Sequence, residues 1–276
     1  MSGGGGTDRA GGGPADGSGG AGDGRWEAVL FDLDGTLIDH FRAIFLAYQH
    51  VQEHLAFPPV TLERVRRTVG GSVPVTLERL AERPVSGAEL ERAMALFDER
   101  FREVMYDEVE ILPGVHALLD WLEAEGIRRA VLTNKRGTNA RAILDHLALG
   151  PRFERTVGAE DTPYRKPQPE LTAWFLGELG LDRERTLLVG DSTFDIETGQ
   201  RGGLRVGAVA TGSHSREELV AAGADWVAED LAALAGMVFG GRGTGDEGRE
   251  TGDEGAEDKG QGTRDRERGT GDGSRC

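Results

Sequence analysis

Acidic side chains stand where short apolar segments of this sequence end. The apolar run 28–31 leads into Asp32, and Asp34 follows two positions later. A second run, 187–189, precedes Asp191 by one glycine. Two positions apart on an extended strand, Asp32 and Asp34 share one face unless the chain turns there. With Asp191 they would give three carboxylates at one place, the oxygen-rich environment that Mg²⁺ prefers. We therefore predict a Mg²⁺ site.

Such a set of carboxylates suits chemistry on a phosphate group. One carboxylate can act as nucleophile while a second, protonated one serves the leaving group. Thr133 and Asn134 follow another apolar run, and they can hold phosphate oxygens together with backbone amides. Lys166 supplies a compact positive charge. The chain has only three lysines beside 29 arginines, and two of the three, at 135 and 166, fall in predicted strand-end loops.

Each of these features alone also has a structural interpretation. Asp-x-Asp-Gly occurs in ordinary turns, and Asp191-Ser192 can cap a helix, as can Thr133-Asn134. The functional interpretation rests on their combination. All of them are predicted near the carboxyl ends of strands, where open parallel sheets bind their ligands.

The elements that must hold these residues are strands alternating with helices, a pattern typical of a parallel sheet with right-handed crossovers. From His40 to about Val109 the apolar residues instead recur at helical spacing. There, Ser86-Gly-Ala-Glu89 predicts a capping box at the start of a helix. The predicted fold class is α/β, a parallel-sheet core with an inserted α-helical cap.

The chain divides into a core, an insertion and two tails. The predicted α/β core covers 25–39 and 111–239, and the helical insertion covers 40–110. The tails, 1–24 and 240–276, each hold 12 of the 43 glycines and almost no apolar residues. Segments of this composition bury too little surface to offset the entropy lost on ordering, so both are predicted to be disordered.

Charge and composition limit the partners. The formal net charge is −16, which disfavours nucleic acid and anionic membranes, because both need basic contacts. The single cysteine, Cys276, excludes a disulfide within the chain. No signal-peptide core or membrane-spanning apolar run is found. We expect a cytoplasmic protein that acts on a small phosphorylated metabolite. The sequence does not indicate its oligomeric state.

Taken together, the motifs resemble those of the haloacid dehalogenase superfamily. The matching segments are 32–37, 131–134, Lys166-Pro167 and 190–195. The helical insertion after the first strand is similar to the cap of the phosphoglycolate phosphatase-like branch. The resemblance implies a Rossmann-like core and a cap that closes over the site and excludes water.

The resemblance also implies roles for the four acids. Asp32 would be the nucleophile and a Mg²⁺ ligand. Asp34 would protonate the leaving alcohol and then deprotonate the attacking water, with its backbone carbonyl on the metal. Asp191 would bind Mg²⁺ directly, whereas Asp195 would act through water or by holding Lys166.

The remaining roles concern substrate. Thr133 and Asn134 would bind the transferring phosphoryl group, and Lys166 would stabilise its charge and orient Asp32. In the insertion, Arg67 can bind a substrate carboxylate or simply lie on a solvated helix face. His40 is interpreted as an exposed residue at a helix start, with contact to substrate as the alternative.

The expected activity is Mg²⁺-dependent hydrolysis of a small phosphate monoester through an aspartyl-phosphate intermediate, with phosphoglycolate as the first candidate. Pyrophosphate or a sugar phosphate is the alternative within the same chemistry. A non-catalytic binding or regulatory protein on the same scaffold is the alternative from another class. The intact set of acids favours the enzyme, because a scaffold that had lost catalysis would be expected to lack Asp32 or Asp34.

Overall fold

The computed structural model describes residues 26–240. The predicted disordered segments, 1–24 and 240–276, therefore lie outside the described residues except for Gly240. Eight strands are found in the described part: β1 Ala28–Phe31, β2 Ile38–Asp39, β3 Glu110–Ile111, β4 Arg128–Leu132, β5 Arg155–Val157, β6 Thr186–Gly190, β7 Arg205–Val209 and β8 Trp226–Ala228.

Ten α-helices lie between and after these strands in the same range. They are α1 Phe41–His54, α2 Leu62–Thr68, α3 Val73–Ala81, α4 Gly87–Val104, α5 Val115–Ala124, α6 Gly137–His146, α7 Pro169–Leu179, α8 Thr193–Gly202, α9 Arg216–Ala221 and α10 Leu231–Phe239. Short 3-10 turns cover Gly150–Arg152 and Arg183–Arg185. None of the described helices is both long and apolar enough to cross a membrane.

Six of the strands form one parallel sheet in the order β5-β4-β1-β6-β7-β8. The predicted α/β class is confirmed. β1 lies at the centre, with β4 on one side and β6 on the other. From β1, the sheet continues to β4 and β5 on one side and to β6, β7 and β8 on the other. Where the strand order reverses in this way, a crevice for ligands forms beyond the carboxyl ends of the strands.

Helices cover both faces of the sheet. Successive side chains of a strand point to opposite faces, and β1 shows the consequence, since all four of its residues are buried. Val29 and Phe31 belong to a core that includes residues of α5, α6 and α10. Leu30 belongs to the core on the other face, which includes Phe175 of α7. Burial on both faces explains why β1 reads as a continuous apolar run.

A two-stranded antiparallel pair marks where the chain leaves the core and returns. Ile38 pairs with Ile111, and Asp39 pairs with Glu110. Between these strands lie α1 to α4, which we call the helical insertion. Aromatic rings hold α1 against α4, with Tyr48 and Phe97 4.7 Å apart between ring centroids. That the insertion forms a separate cap domain over 40–110 stays a prediction.

The predicted capping box at Ser86 is wrong. Ser86 is the N-cap of α4, but its side chain makes no capping hydrogen bond. Gly87, the next residue, has a φ of +57°, which takes the backbone out of the conformation that a capping box needs at this position. Glu89 instead accepts hydrogen bonds from both terminal nitrogens of Arg83, at 2.6 and 2.9 Å.

Candidate active site

Three neighbouring strands bring the predicted site residues to one edge of the sheet. Asp32 follows β1, Thr133 follows β4, and Asp191 follows β6. The register is aligned, because Phe31 of β1 lies beside both Val131 and Val189. Residues just beyond these positions therefore emerge side by side.

A tight turn follows β1. The amide of Gly35 donates to the Ile38 carbonyl at 2.8 Å, and Leu37 and Ile38 donate to the Leu33 carbonyl. Gly35 has a φ of +87°, and a Cβ there would come within 2.7 Å of the Asp191 carboxylate. Glycine is required for both reasons. The turn packs directly against the acid that β6 delivers.

Three carboxylates come together at this edge: those of Asp32, Asp191 and Asp195. One oxygen from each lies within 4.8 Å of the others, and all three residues are buried. The carboxylate of Asp34 does not belong to this group. Spacing alone suggested that Asp32 and Asp34 would share a face, but the turn separates their side chains. Asp195 takes the place in the group that spacing assigned to Asp34.

Lys166 lies between two of these acids. Its Nζ is 2.8 Å from Oδ1 of Asp32 and 2.7 Å from Oδ1 of Asp195. Burial would lower the pKa of Lys166, but the charges of Asp195 and Asp32 outweigh burial and raise that pKa. The ammonium is therefore permanently charged and placed against Asp32.

The single positive charge of Lys166 does not balance the three carboxylates of this group. Burial raises the pKa of Asp32, only partly offset by Lys166. Burial also raises the pKa of Asp191, and the charges of Asp195 and Asp32 raise it further. Oδ1 of Asp32 accepts no hydrogen bond from any residue that the structure describes, although Lys166 is its ion-pair partner. A divalent cation would fit here, because it relieves the repulsion and meets the oxygen ligands that Mg²⁺ prefers.

The neighbours of Asp191 and Asp195 fix both side chains. Asp191 Oδ2 accepts hydrogen bonds from the backbone amide and the hydroxyl of Ser213, at 2.8 and 2.9 Å, and Oδ1 accepts one from Thr36. Asp195 Oδ2 accepts from Ser192, which forms a capping box with it at the start of α8. The motif therefore does both: Ser192 caps α8, and Asp191 and Asp195 belong to the group of buried carboxylates.

Asp34 is held by a different lysine. Nζ of Lys135 lies 2.9 Å from both carboxylate oxygens of Asp34 and 4.8 Å from the ring centroid of Phe101. Burial would raise the pKa of Asp34, but Lys135 and then His40 outweigh burial and hold it well below the usual range. The low number of lysines marks position 135 in the sequence, but its pairing with Asp34 was not predicted.

The interpretation of His40 as an exposed residue is wrong. Its ring is fully buried, with Nε2 3.0 Å from the Met105 carbonyl oxygen and Nδ1 3.6 Å from Oδ1 of Asp34. Burial lowers the pKa of His40, and the nearby Lys135 lowers it further. His40 therefore lies beside Asp34 in the protein interior. No local pattern indicates this, because Phe101, which packs on the ring, comes 61 positions later.

Thr133 and Asn134 are both buried beside the acids. Asn134 Nδ2 donates to the carbonyls of Gly70 and Lys166, at 2.9 and 3.2 Å, and its Oδ1 accepts from the Lys166 amide. The amide of Asn134 therefore positions the lysine and contacts the insertion. Thr133 Oγ1 accepts from the Lys135 amide at 3.2 Å, so its hydroxyl hydrogen is free to point elsewhere. Phosphate binding by either residue stays a prediction.

An open cavity lies over these groups. Asp32, Asp34, Thr133, Asn134 and Asp191 line its floor. The helical insertion supplies its apolar wall, which consists of Ile44, Tyr48, Val69, Val73, Phe97 and Phe101. The polar groups thus converge beneath an apolar cover, an arrangement typical of small-molecule sites.

Arg67 does not line this cavity. Its guanidinium pairs with Glu218 at the start of α9, and both side chains are well exposed. The neighbouring Arg66 pairs with Asp39 at 2.7 Å. Of the residues predicted from the sequence, Arg67 is the one that the structure leaves apart from the others, and substrate binding by it stays a prediction.

Comparisons with known proteins agree with this geometry. The model of a family described as haloacid dehalogenase-like hydrolase matches residues 29–209. A phosphoglycolate phosphatase of Pseudomonas putida is 30% identical over 211 residues, which are 75% of this chain and 77% of that protein. Phosphoglycolate phosphatase 1 of Pseudomonas aeruginosa is 31% identical over 194 residues, 68% of this chain and 71% of that protein.

A solved structure described as a haloacid dehalogenase-like hydrolase from Bacteroides fragilis is also similar. Its TM-score is 0.72 at 25% identity, covering 76% of this chain and 100% of the other.

Proposed function

This chain belongs to the haloacid dehalogenase-like hydrolases and is a phosphatase, and we propose that it hydrolyses a small phosphate monoester with the help of Mg²⁺. The observation that carries the proposal is the buried group of Asp32, Asp191 and Asp195 with Lys166 against Asp32. The carboxylates of this group and the backbone carbonyl of Asp34 would hold the ion. When bound, Mg²⁺ supplies positive charge to the phosphoryl oxygens.

The reaction would proceed in two transfers. A carboxylate oxygen of Asp32 forms a bond to phosphorus as the bond from phosphorus to the ester oxygen breaks, and Asp34 gives its proton to the leaving alcohol. Asp34 then takes a proton from water, which attacks phosphorus and breaks its bond to Asp32. Lys166 and Thr133 offset the charge on the phosphoryl oxygens, which is the main demand of phosphoryl transfer.

Asp34 must be released from Lys135 to do this. In the described conformation both of its oxygens face Lys135, so Asp34 is ionised and cannot donate a proton. A bound phosphate ester brings negative charge that competes for the ammonium of Lys135. Loss of that pairing raises the pKa of Asp34, and its carboxyl can then take up the proton that the leaving group needs.

The proposal is tested with an aryl phosphate and Mg²⁺. Hydrolysis is expected, and it is expected to disappear after chelation. Acid quenching during turnover should trap one phosphoryl group on the peptide that contains Asp32, as shown by mass spectrometry. Turnover without any phosphorylated Asp32 peptide, under conditions that trap the intermediate in a related phosphatase, would refute the covalent route.

Substrate identity is a finer proposal. The relatives named phosphoglycolate phosphatase make phosphoglycolate the first substrate to test. A panel would compare its kcat/KM with those of pyrophosphate and several sugar phosphates. A preference of more than tenfold for either alternative would reject phosphoglycolate and keep the phosphatase.

A further inference from the structure

A second group of side chains with metal-ligand atoms lies outside the candidate active site. His50, Glu53 and His54 lie at the carboxyl-terminal end of α1, and one ligand atom of each is within 4.8 Å of the others. Positions three and four apart on an α-helix are neighbours on one face. The spacing His-x-x-Glu-His therefore places two imidazoles and one carboxylate together.

The two imidazoles are already arranged to share a ligand. Their ring centroids are 4.2 Å apart. Nδ1 of His54 lies 2.8 Å from the carbonyl oxygen of His50, so Nδ1 carries the proton that this hydrogen bond requires. The lone pair of His54 is then on Nε2. A hydrogen bond of this kind, from the second ring nitrogen to a carbonyl, is what orients histidine ligands in metal sites.

The surroundings favour a cation. Glu53 is exposed, and it forms no ion pair with another residue in the part of the chain that the structure describes. His54 is the last residue of α1, where the helix dipole is negative. Arg100 lines the same surface depression, but its guanidinium is paired with Glu103 at 2.7 Å, which offsets its charge.

We propose that His50, Glu53 and His54 form a second metal site that takes a transition-metal dication such as Zn²⁺ or Ni²⁺. Two imidazole nitrogens with one carboxylate suit these ions, and water would complete the coordination. Mg²⁺ is a poor occupant, because it requires an octahedron of oxygen ligands. The ion would cross-link the side chains of the last turn of α1. It would stabilise the folded state by an amount that grows with the logarithm of the ion concentration above its dissociation constant.

The site is separate from catalysis. Ile44 and Tyr48, on the same helix, line the catalytic cavity, and they are buried. At 3.6 residues per turn, His50 and Glu53 lie on roughly the opposite side of α1, and His54 lies on its flank, about 100° from the direction of Ile44 and Tyr48. Occupancy of the second site is therefore expected to stabilise the insertion without contact to substrate.

Isothermal titration with Zn²⁺ tests the proposal on the full chain, with Mg²⁺ in excess to fill the acids at the strand ends. One Zn²⁺ per chain is expected for the unsubstituted protein. Affinity should fall more than about tenfold for His50→Gln and for His54→Gln. The matched control is His116→Gln, an exposed histidine on α5, which should bind Zn²⁺ as the unsubstituted protein does.

A second readout separates ligation from general surface effects. With Cu²⁺ as the probe, electron paramagnetic resonance should show nitrogen couplings that are lost in His54→Gln and kept in His116→Gln. In the absence of these ions, kcat and KM of His54→Gln should match those of the unsubstituted protein. Equal Zn²⁺ affinity in the unsubstituted protein and both ligand variants would overturn the proposal, as would copper spectra that His54→Gln leaves unchanged.

Discussion

The strand-end loops and the helical insertion that covers them are built in opposite ways. The loops concentrate charge, with the carboxylates of Asp32, Asp191 and Asp195 buried around Lys166. The insertion contributes mainly apolar side chains to the cavity. Where the two meet, Lys135 contacts Asp34 on the loop side and Phe101 on the insertion side. Under the proposed function, the chemistry would take place on the loops, while the insertion shapes the space above them.

The strongest test of this division is Asp32→Asn. The amide is nearly the same size but cannot act as the nucleophile, so turnover should fall by at least about 10³-fold. The measurement is steady-state hydrolysis of an aryl phosphate with Mg²⁺. Asp120→Asn, an exposed acid on α5, is the matched control and should keep full activity. Activity in Asp32→Asn close to that of the control would remove Asp32 from the chemistry.

Asp191→Asn should separate metal binding from folding. Asp191 is one of three buried acids that repel one another, so its neutralisation should raise the thermal midpoint of the metal-free protein. Affinity for Mg²⁺ should fall by more than about tenfold, because a charged ligand is lost. Thermal melts with and without Mg²⁺ measure both effects. A metal-free midpoint that drops would show that the acids stabilise the fold without an ion.

Lys135→Met tests the boundary between loops and insertion. The thioether side chain keeps the contact with Phe101 but no longer holds Asp34. Without Lys135 the pKa of Asp34 is no longer held down, so Asp34 takes up a proton more readily. With an alkyl phosphate, whose leaving group needs that proton, the rate of the first transfer should therefore rise. With p-nitrophenyl phosphate, whose leaving group needs none, the effect on the first transfer should be much smaller. Equal changes in rate on both substrates, measured in single-turnover reactions, would contradict a role for Lys135 through Asp34.

The pH dependence follows from the raised pKa values of Asp32 and Asp191. The folded metal-free protein keeps protons on these carboxyls that the unfolded chain has already lost above about pH 4. The contribution of these two carboxyls to the stability of the folded protein therefore falls as pH rises from about 4 through the raised pKa values. Mg²⁺ must displace the protons, so stabilisation by Mg²⁺ should be greater at pH 8 than at pH 6. Melts at both pH values measure it, and Asp191→Asn should show a weaker trend.

Arg67→Ala should have the smallest effect. Its pair with Glu218 is exposed to solvent and screened, so loss of the pair should change the free energy of unfolding by less than about 1 kcal/mol. The kcat/KM for phosphoglycolate should stay within about twofold, because Arg67 does not line the cavity. A loss above tenfold, confined to KM, would instead place Arg67 on the substrate and assign specificity to the insertion.

The same contrast separates what the sequence predicts from what it does not. Strand-end residues such as Asp32 and Asp191 are predictable, because apolar runs mark the strands and parallel order brings their ends together. His40 and Lys135 are not, because their surroundings are set by Phe101 and Met105, which are distant in the chain. Local patterns report one element at a time, whereas burial in the insertion depends on how several helices pack.

The hydrogen bond from Asn134 to Gly70 has a mechanical consequence. The side chain of Asn134 also makes two hydrogen bonds to the backbone of Lys166: Nδ2 donates to the Lys166 carbonyl, and Oδ1 accepts from the Lys166 amide. A movement that carried Gly70 away from the sheet would remove one of these restraints and free the asparagine amide to rotate. Lys166, which faces Asp32, would then be held less firmly whenever the helical insertion moved away from the sheet. The position of Lys166 would therefore depend on whether the insertion is closed over the site.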